Sequence, residues 1–146
     1  MNSIFTNLFL LLNTEAADIN QYIWDSYQGR VEFSNVEILE DDNRILFDVQ
    51  IALNEGWKGY YPNEQNGGNE LKLDLIEQND EIVLLDFPDP EILYFYEESF
   101  IGYKKDYTVS GIIENVDFQN KSQTLKVNIS FCNNLCVPEE FEIYIK

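Results

Sequence analysis

Three stretches of this sequence alternate apolar and polar residues with a period of two, a pattern that fits a half-buried strand and not a helix. In NRILFDVQIALN, residues 43–54, Ile45, Phe47, Val49, Ile51 and Leu53 fall on one side, and Asp48, Gln50 and Asn54 on the other. QTLKVNISF (123–131) sets Leu125, Val127, Ile129 and Phe131 on one face, and EFEIYIK (140–146) does the same with Phe141, Ile143 and Ile145. RVEFSNVEIL (30–39) is a less regular strand candidate; ELKLDLI (70–76), EIVLLDF (81–87) and YTVSGIIE (107–114) are others. Turn-forming residues divide them at Asp41-Asp42-Asn43, from Pro62 to Asn69 with Gly67-Gly68, at Phe87-Pro88-Asp89-Pro90, and at Asn120-Lys121-Ser122-Gln123. Seven or so short strands, each with one apolar face, predict an all-β antiparallel sandwich, with a barrel as the alternative. Helix is expected at most within the first 28 residues and at EILYFYEES (91–99).

A length of 146 residues with 45% hydrophobic content suits one domain with its own core. Lys and Arg number 9 against 27 Asp and Glu, a formal net charge of −18. Such a surface repels phosphate backbones and anionic lipid, so no nucleic-acid partner is expected. The chain has no histidine, which excludes Ser-His-Asp and Cys-His catalysis and every His-containing zinc site. Its two cysteines are too few to complete a zinc site, so no metal is expected. A hydrolase built on two carboxylates finds no motif that singles out a pair among the scattered acids.

The opening MNSIFTNLFLLLNTEAADINQ reads as a secretory signal peptide. Its apolar run, Ile4 to Leu12, falls short of the roughly 20 residues that span a membrane, and Ala16-Ala17 offers a cleavage point after Ala16. It departs from the pattern in having no Lys or Arg ahead of the run, and an amphipathic helix packed on the domain is the alternative. The expected organisation is a leader at 1–16 and one β-sandwich domain at 17–146, periplasmic or secreted.

Both cysteines fall in FCNNLCVPEEFEI (131–143), as Cys132 and Cys136. Inward Phe131 ends one alternating run and Phe141 belongs to the next, so the pair is expected in the connection and outside the core. Free thiols, a structural disulfide and a redox-active disulfide are the competing readings. An oxidising compartment disfavours free thiols. Closing so small a loop stabilises by about 2 kcal/mol at most, and a small surface loop is the kind of bond that exchanges readily. Glu139 and Glu140 follow closely with no Lys or Arg nearby, which disfavours a thiolate. Pro138 reads as a rigid turn into the last strand.

ISFCNNLCVPEEFEI resembles the cysteine motif in the N-terminal periplasmic domain of protein-disulfide reductases of the DsbD type, nearest to the ScsB-like branch. NEGWKGYYPNEQNGGNELKLDL, with Gly56, Trp57, Lys58, Tyr60, Pro62 and the Gly67-Gly68 turn, resembles a second block of that family. LDFPDPEIL followed by FIGYKKDYTVSG resembles a third. The resemblance runs from about residue 30 to the end. It implies an immunoglobulin-like sandwich in which Cys132 and Cys136 cycle between dithiol and disulfide without a cofactor. Electrons would arrive from a thioredoxin-like or membrane-embedded disulfide reductase and leave to periplasmic disulfide-containing proteins. It further implies a cap over the sulfurs, at Phe100, Ile101, Gly102 and Tyr103 by position, with Trp57, Tyr60 and Tyr61 either shielding the sulfurs or belonging to the core. Cys136 is implied as the cysteine that bonds to partners. Full-length members carry a multi-pass membrane domain and a C-terminal thioredoxin-like domain, which this sequence lacks, so the expectation is a stand-alone module with a separately encoded partner, or a relic. The competing reading is a non-enzymatic secreted binding module, with a stapled loop and an aromatic surface from Tyr94, Phe95, Tyr96, Phe100 and Tyr103.

Overall fold

The computed structural model describes residues 22–63, 69–95, 97–119 and 123–145; the leader at 1–16 and the Gly67-Gly68 turn lie outside them. Among the described residues, eleven strands follow in chain order. They are β1 (Ile23–Asp25), β2 (Gly29–Leu39), β3 (Arg44–Leu53), β4 (Gly59–Tyr60), β5 (Lys72–Leu75), β6 (Ile82–Asp86), β7 (Glu91–Phe95), β8 (Glu98–Tyr103), β9 (Tyr107–Glu114), β10 (Gln123–Cys132) and β11 (Cys136–Ile145). One sheet has the order β1-β2-β3-β9-β6, a second β11-β10-β5, and a small third β4-β8-β7. Every pairing within them is antiparallel.

The alternating runs build the core as their period requires. Ile45, Phe47, Val49 and Ile51 of β3 are buried, as are Leu125, Val127, Ile129 and Phe131 of β10 and Phe141, Ile143 and Ile145 of β11. These side chains from the two larger sheets belong to a single apolar cluster, the interior of an immunoglobulin-like sandwich. Each such residue contributes about 1.5–3 kcal/mol by leaving water, so a register slip that turned one strand over would forfeit several at once.

The irregular run at 30–39 has a physical cause. Ser34 pairs with Asp48, but the next pair is Glu37 with Leu46, so β2 carries one extra residue there. Asn35 takes the bulge position with φ 52°, and its side-chain amide donates to Asp48 Oδ2 at 2.8 Å. The bulge reverses the phase of the strand: Val31 and Phe33 are buried before it, and Val36 and Ile38 pack on the core after it.

The helix expected at 91–99 is overturned. EILYFYEES forms β7 and the start of β8, a hairpin in which Ile92 pairs with Ile101 and Leu93 with Phe100. Leu93 is buried while Ile92 and Tyr94 are exposed, a period of two. Aromatic and β-branched residues favour the pleated surface when a partner strand is present. Of the first 28 residues, where helix was also expected, 1–21 lie outside the described residues, and 23–25 form β1, whose Trp24 ring stacks on Phe141 at 4.8 Å. Short strands such as β1 and β4 hold too few residues to display a period, so the sequence showed about seven strands and not eleven.

Neighbouring residues of β11 test the register. Ile143→Ala should cost about 2–5 kcal/mol in urea denaturation, a buried large-to-small change. Glu142→Ala, one residue away on the exposed face, should stay within about 0.5 kcal/mol. Comparable losses at both positions would contradict the assignment of faces.

Candidate active site

The site lies where β10 turns into β11. The two strands pair residue for residue from Gln123↔Ile145 to Cys132↔Cys136, and Asn133, Asn134 and Leu135 close the hairpin. Asn133 helps to shape the turn: its amide donates to the Leu135 carbonyl, and its side-chain Oδ1 accepts from the Leu135 amide at 3.1 Å. Cys132 and Cys136 form a disulfide across the last rung, with Cα atoms 4.0 Å apart. Residues directly opposite in an antiparallel pair project to the same side. Alternation therefore sends both sulfurs to the face opposite Phe131, away from the interior of the sandwich.

The expectation that the cysteines lie in the connection is corrected, whereas Cys136 is exposed, as expected of a residue outside the core. They end one strand and begin the next, and Cys132 is 0% exposed. The ladder extends past Phe131 because a further segment pairs with the other edge of β10. The Lys58 amide donates to the Cys132 carbonyl at 2.8 Å, and the Cys132 amide donates to the Lys58 carbonyl at 2.9 Å. Pro138 stands within β11, an edge strand, where its missing amide costs no ladder bond.

Two residues beyond Lys58, Tyr60 returns to the sulfur side. Its hydroxyl lies 3.6 Å from Cys136 Sγ. A disulfide sulfur carries no hydrogen, so the phenol is the donor. The ring meets Phe100 edge-on with centroids 4.5 Å apart. Tyr60 pairs with Gly102 of β8, and a Cβ at Gly102 would run into the Gly59 carbonyl and the Phe100 ring. The absence of a side chain at 102 thus lets β4 and Phe100 close together.

The remaining candidates divide by strand parity. Phe100 and Gly102 lie on the Tyr60 side of the small sheet, whereas Tyr103 turns inward and is 5% exposed. It stacks on Tyr107 at 3.9 Å and donates its hydroxyl to the Pro88 carbonyl at 2.7 Å. Burial holds the Tyr103 phenol well above the usual tyrosine range. Trp57 and Tyr61 are half-buried against the hydrophobic core. Of the residues expected as a cap or shield, Tyr103 and Trp57 therefore pack with the core, while Tyr60 packs on Phe100 and reaches Cys136. The five residues proposed as an aromatic surface do not form one face: Tyr103 is buried, Phe100 packs on Tyr60 and Tyr94 is exposed. The Phe95 side chain and Tyr96 lie outside the described residues.

Of the two acids that follow Cys136 in sequence, Glu140 shares its face of β11 and Glu139 does not. Glu139 projects to the other face and accepts a hydrogen bond from the Trp24 indole at 3.1 Å. Glu97 and Glu98, from the turn into β8, line a cleft of about 520 Å³ with Tyr60, Asn133, Asn134, Leu135 and Cys136. Leu135 is 76% exposed at its rim. Burial and the nearby Glu98 carboxylate raise the Tyr60 pKa above the ordinary tyrosine value. Sequence reading missed Glu97 and Glu98 because a helix was expected there; recognising ESFIGY as a strand would have aligned Gly102 with Tyr60.

The family model described as thiol:disulfide interchange protein DsbD, N-terminal, matches residues 28–145. No curated protein sequence matches the chain. Among solved structures, the N-terminal periplasmic domain of ScsB from Proteus mirabilis is similar, with a TM-score of 0.68 and 19% identity. That match covers 82% of this chain and 47% of the ScsB domain, so the chain spans about half its length. The GAE domain of GGA2p from Saccharomyces cerevisiae is similar with a TM-score of 0.51 and 12% identity, covering 86% of this chain and 97% of that one. At these identities the structural likeness is one of fold.

The unequal exposure of the sulfurs has a direct readout. In Cys132→Ser, the remaining Cys136 should alkylate with iodoacetamide as a surface thiol does. In Cys136→Ser, Cys132 should react about tenfold more slowly or less, since it must wait for local opening that costs roughly 1.4 kcal/mol or more. Equal rates would contradict the burial of Cys132.

Proposed function

The chain belongs to the family of thiol:disulfide interchange protein DsbD N-terminal domains, and from that membership we propose that it relays electrons through Cys132 and Cys136 to partner proteins in the periplasm. Domains of this family work with thioredoxin-like and disulfide-containing periplasmic proteins. The donor here would be a thioredoxin-like or membrane-embedded disulfide reductase, and the acceptors periplasmic proteins with disulfides. Residues 1–16 would direct export and be removed.

The observation that carries this reading is the asymmetry of one bond: Cys132 is wholly buried while Cys136 is exposed at an open cleft. Exchange requires a thiolate to approach one sulfur in line with the bond it breaks. A donor thiolate reaches Cys136, forms a mixed disulfide there and releases Cys132 as a thiolate. The donor's second thiol then attacks its own sulfur in that bond, leaving both cysteines reduced and the donor oxidised. In the forward half, the Cys136 thiolate attacks an acceptor disulfide and expels one acceptor thiolate. Cys132, after losing its proton to water, attacks Cys136 Sγ, restores the internal bond and frees the second acceptor thiol. Two electrons pass in each half, and no cofactor is needed.

A purely structural role has little support from energetics. The hairpin is already registered by the Phe131↔Val137 and Ser130↔Pro138 pairs below the bond. A loop this short constrains the unfolded chain by only about 2 kcal/mol.

Trapping assigns the roles. Reduced Cys132→Ala should accumulate a mixed disulfide on Cys136 when mixed with an oxidised thioredoxin-like domain, seen on a non-reducing gel. Reduced Cys136→Ala should trap at least about tenfold less, given the sheltered position of Cys132. Equal trapping would remove the role assignment, and no trapping by either variant would remove the exchange function.

A further inference from the structure

We propose that Tyr60 is a catalytic residue of this exchange: its hydroxyl donates a hydrogen bond to Cys136 Sγ and stabilises that sulfur as a thiolate. The proposal rests on the exchange reading above and assigns a further residue to the same site.

The geometry is already present in the oxidised protein, where the hydroxyl lies 3.6 Å from the sulfur. A thiolate at the same place is a stronger acceptor, since a bond to an ionised group is about twice as strong as one between neutral groups. The ring is held by the pairing of Tyr60 with Gly102 and by the edge contact with Phe100. Little reorganisation is then needed when charge appears on the sulfur.

The charged groups around the sulfurs are mixed: Lys58, opposite Cys132 in the strand pairing, is a cation on the sulfur side, and two carboxylates oppose a thiolate at Cys136. Glu97 and Glu98 line the cleft that holds Cys136. A chain with no histidine and a net charge of −18 supplies no imidazolium and few cations to offset them. Nearby carboxylates raise a thiol pKa and reduce the fraction able to attack. A neutral phenol offsets part of this without placing an ion in the cleft. Tyr60 also keeps its own proton: burial and Glu98 raise its pKa, while an ordinary thiol ionises near 8.5. A raised pKa favours the protonated phenol, the form that donates.

The same bond acts in both halves of the cycle. It stabilises Cys136 as the attacking thiolate toward an acceptor. It also stabilises Cys136 as the leaving thiolate when the donor's second thiol resolves the mixed disulfide. Tyr60 gives up no proton in either step; the thiol proton goes to water.

The test compares Cys132→Ala with Cys132→Ala/Tyr60→Phe, in which Cys136 is the lone thiol and the ring on Phe100 is kept. The Cys136 pKa is read from the ultraviolet absorbance of the thiolate across pH, with urea midpoints to verify the fold. Removing the hydroxyl should raise that pKa by about one unit or more. Alkylation at neutral pH should slow by about three- to fourfold, the greater nucleophilicity of a more basic thiolate offsetting part of the lost ionisation. An unchanged pKa in a folded variant overturns the proposal. Should Tyr60→Phe fail to fold, Phe100→Leu in the Cys132→Ala background keeps the hydroxyl but loosens its support; a smaller upward shift supports the role and none overturns it. The titration uses no partner, so failure of trapping and failure of this proposal are separate results.

Discussion

Two backbone hydrogen bonds between Lys58 and Cys132 join the small β4-β8-β7 sheet to the long β10–β11 hairpin, and the chemistry of the site depends on that junction. Without it, the last rung of the hairpin would be an open edge with two comparable sulfurs. With it, Cys132 is enclosed, Cys136 remains at the surface, and Tyr60 is carried two residues onward to the exposed sulfur. Backbone pairing is strongly directional, so this attachment sets which sulfur is covered more firmly than side-chain packing alone would.

The small sheet has two faces with separate duties. Tyr103 and its stack on Tyr107 belong to the core of the sandwich. Tyr60 and Phe100 pack together on the other face, with the Tyr60 hydroxyl at the sulfur. Gly59 and Gly102 permit both: a Cβ at Gly59 would collide with the Tyr107 ring, and one at Gly102 with the Gly59 carbonyl. The Tyr60–Phe100 pair is thus held beside the core by packing between side chains and not by hydrogen bonds of the rings to each other.

The sequence made the large elements legible and left the cap obscure, for a physical reason. Strands β3, β10 and β11 are long and half-buried, so their period of two is visible in Ile45 to Ile51, Leu125 to Phe131 and Phe141 to Ile145. The same alternation, continued one residue past Phe131, would have put Cys132 on a strand and on the outer face; the turn-like Asn133-Asn134 obscured that step. The cap was named by position, and parity then divided it: Phe100 and Gly102 face the sulfur side, while Tyr103 does not. Glu97 and Glu98 reach the cleft that holds Cys136 only through the β7–β8 hairpin, a juxtaposition of residues distant in the chain that no local pattern encodes. The family resemblance named the cysteines and Tyr60, but the hydrogen bond from its hydroxyl needed coordinates.

The central claim is that the Cys132–Cys136 bond is an exchangeable redox couple and not a staple. Its reduction potential, measured by equilibrating the protein with glutathione and thioredoxin redox couples and trapping the free thiols, tests this most directly. The account expects a value more positive than about −300 mV, outside the range of structural disulfides in secreted proteins. A value well below about −300 mV, with the bond resisting thioredoxin-like reductants, would contradict it.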